Sequence, residues 1–140
     1  MWIFALLPVN QWIALVTLVV ADYDEAIAFY TQKLGFRLLE DTVLSPEKRW
    51  VRVAPPGLAG AELLLARAAT PAQARCIGNQ TGGRVALFLY TDDLARDYTQ
   101  LQAQGVTIVR PPVAELYGKV LVFSDLYGNQ WDLLEPAQSV

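Results

Sequence analysis

The chain has 140 residues, 54 % of them hydrophobic, which is the size of one domain and ample for a single packed core. Its 11 basic residues against 14 acidic ones include no basic run, and this excludes the electrostatic footprint that nucleic-acid binding needs. There is no histidine, so the commonest general base and transition-metal ligand are missing together, and the single cysteine, Cys76, can form neither an internal disulfide nor a thiolate cluster, as expected of a cytoplasmic protein.

The first twenty residues, MWIFALLPVNQWIALVTLVV, are apolar over the length of a membrane span. Pro8, Asn10 and Gln11 interrupt the run and no Lys or Arg precedes it, so neither a membrane span nor a secretory signal is expected. Residues 12–20 read instead as a buried strand, with residues 1–9 as an edge strand, a subunit contact or an extension. Asp22 with Glu25 three residues on forms a capping-box pattern and opens a helix that ends at Gly35, with Ile27, Tyr30 and Leu34 on one stripe. Thr70, Pro71 and Gly78 predict a short helix in the connection. Asp92 is expected to open a helix of the same length, with Leu94, Tyr98 and Leu101 on one face and Gly105 as a left-handed stop.

Asp22 recurs as Asp92 and Gly35 as Gly105, 70 positions later in each case. The register places Phe36–Leu39 on Val106–Val109, Trp50–Val53 on Val120–Phe123, and Glu62 on Asp132. The chain therefore reads as two copies of one strand–helix–strand–strand–strand unit, an α+β fold of paired βαβββ modules. Module one spans about 12–70, the connection with its short helix 71–84 and module two about 85–140. Neither unit can bury its sheet alone, so the pair is expected to cover one sheet face with helices and leave an open, concave groove.

Alternation along the strands sorts the side chains. Val51 and Val53 suit the helix side, which leaves Trp50 and Arg52 on the groove. Leu15, Thr17 and Val19 share a face there, as do Glu62 with Leu64 and Asp132 with Leu134. Trp131 takes the core side by the same parity. Glu62 is a candidate cross-strand partner of Arg52. Tyr117 and Tyr127 lie in turns, where a phenol could rim the opening. Cys76 has no base beside it and makes a poor nucleophile. An apolar concavity with two carboxylates and one guanidinium resembles a small-molecule site.

The segments LVTLVVADYDEAIAFYTQKLGF, RWVRVAPPG, FLYTDDLARDYTQLQAQGV and VFSDLYGNQWDL resemble the vicinal oxygen chelate superfamily, the glyoxalase I, bleomycin-resistance and extradiol dioxygenase group. The resemblance covers nearly the whole chain after residue 11. It implies paired βαβββ modules around a groove and, commonly, a dimer. It also implies a divalent ion held by His on the first strand and Glu on the last strand of each module. Here the first-strand positions are Leu15 and Val85, or Ala86 if that strand slips by one, none of which has a lone pair to donate; the last-strand positions are Glu62 and Asp132.

The expectation is a bleomycin-resistance-like homodimer that sequesters a small aromatic or cationic ligand and has no metal or other cofactor. Its groove would use Leu15, Thr17, Trp50, Arg52, Glu62, Leu64, Val85, Tyr117 and Asp132. The alternative is a metal-dependent lyase or dioxygenase with a His-free site in which Asp132 or Glu62 is ligand or general base. Two carboxylates alone hold Mg or Ca weakly, and such chemistry needs a Lewis acid, so the binding module is the favoured reading.

Overall fold

The computed structural model describes residues 8–138, so the expectation for residues 1–9 falls almost wholly outside the described residues. The chain runs β1 (Leu15–Val20), α1 (Tyr23–Ala28) continuing into a π-helical turn (Phe29–Lys33), β2 (Arg37–Val43), β3 (Arg49–Ala54), β4 (Glu62–Arg67) and α2 (Pro71–Ala74). Module two follows as β5 (Leu87–Tyr90), α3 (Leu94–Ala103), β6 (Thr107–Glu115), β7 (Gly118–Ser124) and β8 (Gln130–Pro136). Each module forms its own four-stranded sheet, ordered β1-β4-β3-β2 and β5-β8-β7-β6, in which only the first strand runs parallel to its neighbour. The two sheets repeat one topology, as the sequence period requires.

The period is not uniform, and the structure shows where it slips. Arg52 pairs with Leu64, and Val122, its counterpart 70 residues on, pairs with Asp132. Asp132 is therefore the counterpart of Leu64, and Glu62 that of Gln130. On the first strands Thr17 sits beside Leu64 and Phe88 beside Asp132, an offset of 71. The loops before the last strands differ by two residues, which a sequence offset drawn through the helices does not register.

The helices are unequal for a similar reason. Asp22 caps α1 by accepting from the Glu25 N–H at 2.9 Å, but the cap of α3 is Asp93, not Asp92, accepting from the Arg96 N–H at 3.0 Å. Both helices stop at a glycine with positive φ, Gly35 at 73° and Gly105 at 71°. The first helix is thus one residue longer, and its π-helical turn, with Leu34 N–H donating to the Phe29 carbonyl at 3.2 Å, absorbs the extra residue. Phe29 and Tyr30 both reach the core because of that widening.

The helix-side faces of both sheets share one core. Leu18, Val20, Val51, Val53, Leu63 and Leu65 come from sheet one and Leu121, Phe123, Trp131 and Leu133 from sheet two, with Tyr30 and Phe36 between them. Trp131 stacks on Phe123 with centroids 5.7 Å apart, and Phe36 meets it edge-on at 5.9 Å. Such pairs add about 0.5–1.5 kcal/mol each beyond burial of area. The alternation of Val51/Val53 inward against Trp50/Arg52 outward is realised in β3, where both valines are fully buried and the other two half-exposed. The buried strand expected over residues 12–20 is shorter: Trp12, Ile13 and Ala14 are exposed, and contact with β4 begins at the Ala14 carbonyl, which accepts from the Glu62 N–H at 2.9 Å just before β1.

Candidate functional site

The nine residues expected to line a groove separate into groups. On the open face of sheet one, Thr17, Leu64 and Arg52 lie side by side across three strands, with Leu15 beside Glu62 and Trp50 opposite Thr42. Arg52 is the centre of this group. Its Nε donates to Glu40 Oε1 at 3.0 Å and its Nη1 to Glu62 Oε1. The guanidinium, together with the Thr42 hydroxyl, holds the Glu40 carboxyl below its usual range. The cross-strand pairing of Glu62 with Arg52 is as expected, and it commits the Glu62 carboxylate to a neighbour.

The open face of sheet two is different in character. Asp132 is half-buried between Phe88 and Val122, with no hydrogen-bond or ion-pair partner among the described residues. Phe88 and Tyr90 on the same side of β5 are 64 % and 66 % exposed. Val85 lies before the strand, and it is Ala86, donating to the Gln130 carbonyl at 2.8 Å, that continues the ladder two residues before Phe88. Tyr117 is in the β6–β7 turn, more than half exposed, and far along the hairpin from Asp132. Sequence reasoning missed Phe88 and Tyr90. The alternation Leu87, Leu89 inward against Phe88, Tyr90 outward carried the signal, but a uniform offset of 70 obscured it.

The other carboxylate of DLYGNQWDLLEP has the opposite fate. Asp125 is buried, accepting from the Tyr30 hydroxyl at 2.7 Å, the Asn129 amide at 2.9 Å and the backbone N–H groups of Tyr127 and Asn129 at 2.9 Å each. It fixes the turn before β8 and joins the turn to the helix of module one. Tyr127 joins the modules a second time. Its hydroxyl accepts from the Asp22 N–H at 3.3 Å and donates to Glu25 Oε1 at 2.7 Å, so the capping box legible in Asp22–Glu25 is closed through a phenol from the other module.

Burial, reinforced by the Glu25 carboxylate, pushes the Tyr127 phenol up to about 12, and burial with the Asp125 carboxylate raises Tyr30 as well. A phenol held neutral by the fold contributes stability that is whole below its unfolded value of about 10 and is lost as pH rises through the folded value. The melting temperature is therefore expected to fall between about pH 10 and 12, and Tyr127→Phe to make that fall shallower. A wild-type profile flat across this window would show that neither phenol is tied to the fold.

Between them, the positions that the resemblance assigns to metal ligands do not fit a divalent ion. Leu15, Ala86 and Val85 end in hydrocarbon, Glu62 is held by Arg52, and the counterpart of Asp132 is Leu64. Among the described residues no three His, Cys, Asp or Glu side chains converge as an ion would require.

Two four-stranded βαβββ sheets around a shared helix-side core, with their other faces open, define the paired-module class of fold. The chain belongs to the Glyoxalase/Bleomycin resistance protein/Dioxygenase superfamily, whose family model matches residues 12–133. It is 58 % identical over 127 residues to an uncharacterised protein of Shewanella frigidimarina (strain NCIMB 400), covering 90 % of this chain and 94 % of that one. Among solved structures it is similar to UcmS2, with a TM-score of 0.79 and 30 % identity over 91 % of this chain and 99 % of that one. It is also similar to TnmS3, an antibiotic binding protein from Streptomyces sp. CB03234, with a TM-score of 0.74 and 32 % identity over 91 % and 98 % of the two chains.

Proposed function

We propose that the protein is a non-enzymatic small-molecule binder that sequesters a cationic, aromatic ligand on the open face of sheet two. The observation that carries this reading is the half-buried, unpaired Asp132 directly beside the exposed Phe88 ring. A ring offers stacking surface and a cation–π face, and a carboxylate in partly desolvated surroundings favours a positive charge. The likeness to an antibiotic-binding protein supports a small-molecule ligand, and the hydrocarbon at the first-strand positions supports binding without a metal or other cofactor.

The same reading includes a homodimer. β1 and β5 are edge strands with exposed apolar side chains, Val16 on β1 with Trp12 and Ile13 just before it, and Phe88 and Tyr90 on β5. Unpaired strand edges of this kind favour association. Part of the β1 edge is already occupied: Gln80, from the GNQTGG connection, accepts from the Val19 N–H at 2.8 Å and donates to the Thr17 carbonyl. A second copy would enclose the open faces and take these rings out of water. A cytoplasmic location completes the reading; no helix among the described residues is long and apolar enough to cross a membrane.

The test uses a planar aromatic cation, 9-aminoacridine, titrated by fluorescence. Asp132→Asn is expected to weaken binding roughly fivefold, in keeping with about 1 kcal/mol for a partly solvated charge contact, with the melting temperature unchanged. Phe88→Ala is expected to weaken it further. Absence of saturable binding to the wild type, or equal affinity of the Asp132→Asn protein, would remove the basis for the assignment.

A further inference from the structure

The helix side of sheet two is not fully covered. α3 crosses one part of it, and the end of the first helix with the Pro55–Pro56 loop reaches the other, leaving a cavity of about 290 Å³ between them. That is near the lower end of volumes that hold small molecules. Counting about 30 Å³ for each water-sized group, it has room for roughly ten non-hydrogen atoms. Leu89, Phe123 and Leu133 rise from the sheet into it, with Phe36 and Leu101 at its sides. By strand parity Leu89, Phe123 and Leu133 face away from Phe88 and Asp132, so the cavity opens on the other side of the sheet, with Tyr90 of the Phe88 row at its edge.

The rim is polar, and its charges already answer one another. Arg96 Nη2 donates to Asp92 at 2.9 Å and its Nε to Asp97 at 3.0 Å, while the other Asp97 oxygen accepts from the Thr91 hydroxyl. Lys33 Nζ donates to the Gln104 carbonyl at 3.0 Å, a strut from the first helix to the end of α3. An ionic ligand would have to break these pairings to be recognised. An uncharged one keeps them and gains apolar contact with Leu34, Pro55 and Leu89, which line the cavity and are half-exposed.

From this arrangement we infer that the cavity between the helices is a second binding site, distinct from the Phe88–Asp132 pair, for an uncharged and largely apolar molecule of fused-ring size carrying one hydroxyl. The apolar body lies against Leu34, Pro55 and Leu89, above the buried Phe123 and Leu133, and the hydroxyl meets Asp97 or Gln100 at the rim.

The experiment titrates 2-naphthol into the full-length protein with isotope-labelled methyl groups and follows their NMR shifts. Saturable shifts concentrated on Leu89, Leu101 and Leu133 are expected, with at least about tenfold weaker binding of the charged analogue 2-naphthoate. Leu89→Phe, which fills the cavity, is expected to weaken 2-naphthol by a similar factor. Shifts that rise linearly without saturating, or that fall on Val122 and Leu134 on the Asp132 side of the sheet, would overturn the site. Binding of 2-naphthoate as tight as that of 2-naphthol would overturn the ligand class. The wild-type shift map decides the location even if the Leu89 variant does not fold. Because it reads a different face from the 9-aminoacridine titration, either result stands whatever the outcome of the other.

Discussion

Replacement of Asp125 by alanine is expected to lower folding stability by about 3–5 kcal/mol, measured as a shift in the urea midpoint at constant slope. The carboxylate is 5 % exposed and accepts four hydrogen bonds, from the Tyr30 hydroxyl, the Asn129 side chain and two backbone N–H groups of its own turn. Alanine leaves these donors in an interior that water does not reach, and buried donors without acceptors are costly. Tyr30→Phe removes a single donor and is expected to cost about 1–3 kcal/mol. The double variant should lose less than the sum of the two, because both single changes delete the same bond. A loss below about 1 kcal/mol for Asp125→Ala would mean that the turn finds other acceptors, and the proposed joint between the modules would not exist.

Gly78→Ala carries the second large effect, about 2–4 kcal/mol, and it comes from a different cause. Gly78 has φ of 74°, and a Cβ built on it would lie 1.9 Å from the Tyr127 carbonyl oxygen and 2.9 Å from its carbonyl carbon. The obstacle is backbone, in the turn fixed by Asp125, so it cannot swing aside as a flexible side chain would. Gly82 provides the control. Its φ is 68°, but a Cβ there meets nothing within 4 Å, so Gly82→Ala should cost only the strain of the left-handed conformation, about 1–2 kcal/mol. Equal losses at the two positions, read from thermal or urea unfolding, would show that the connection does not press on the turn.

These two expected effects meet at one place, and it is a place the sequence does not reveal. The segment DLYGNQWDLLEP holds two aspartates in a setting of similar composition. One, Asp132, follows from strand alternation: Trp131 and Leu133 point inward, so Asp132 points out. The other, Asp125, looks like an ordinary turn residue, yet it is buried because Tyr30 approaches from 95 positions away. Tyr127 was legible as a turn phenol that could rim an opening. Its hydroxyl is instead spent on the cap of α1, 105 positions earlier. Cross-module partners of this kind leave no mark in local pattern, because nothing in a turn's own residues states what packs over it.

The alternation and most caps and stops were local matters and readable, although the cap of α3 fell on Asp93 rather than Asp92 and α2 ends at Ala74, short of the expected stop at Gly78. Asp22 before Glu25, Thr70 before Pro71, and glycines after the helices satisfy backbone groups within a few residues of themselves, so their signals survive in one dimension. The repeat was readable too, since two copies of a βαβββ unit share core periodicities, and with it came the pairing of Glu62 with Arg52. Three things were settled only by folding. A π-helical turn took up the extra residue of the first helix. Unequal loops moved Asp132 from the register of Glu62 to that of Leu64, and so put Phe88 beside it. Finally, the divergence of two helices over sheet two left a cavity bounded by residues from both modules. Each depends on how segments far apart in the chain come to lie against one another, and the free energy of that packing belongs to pairs of segments rather than to either one alone.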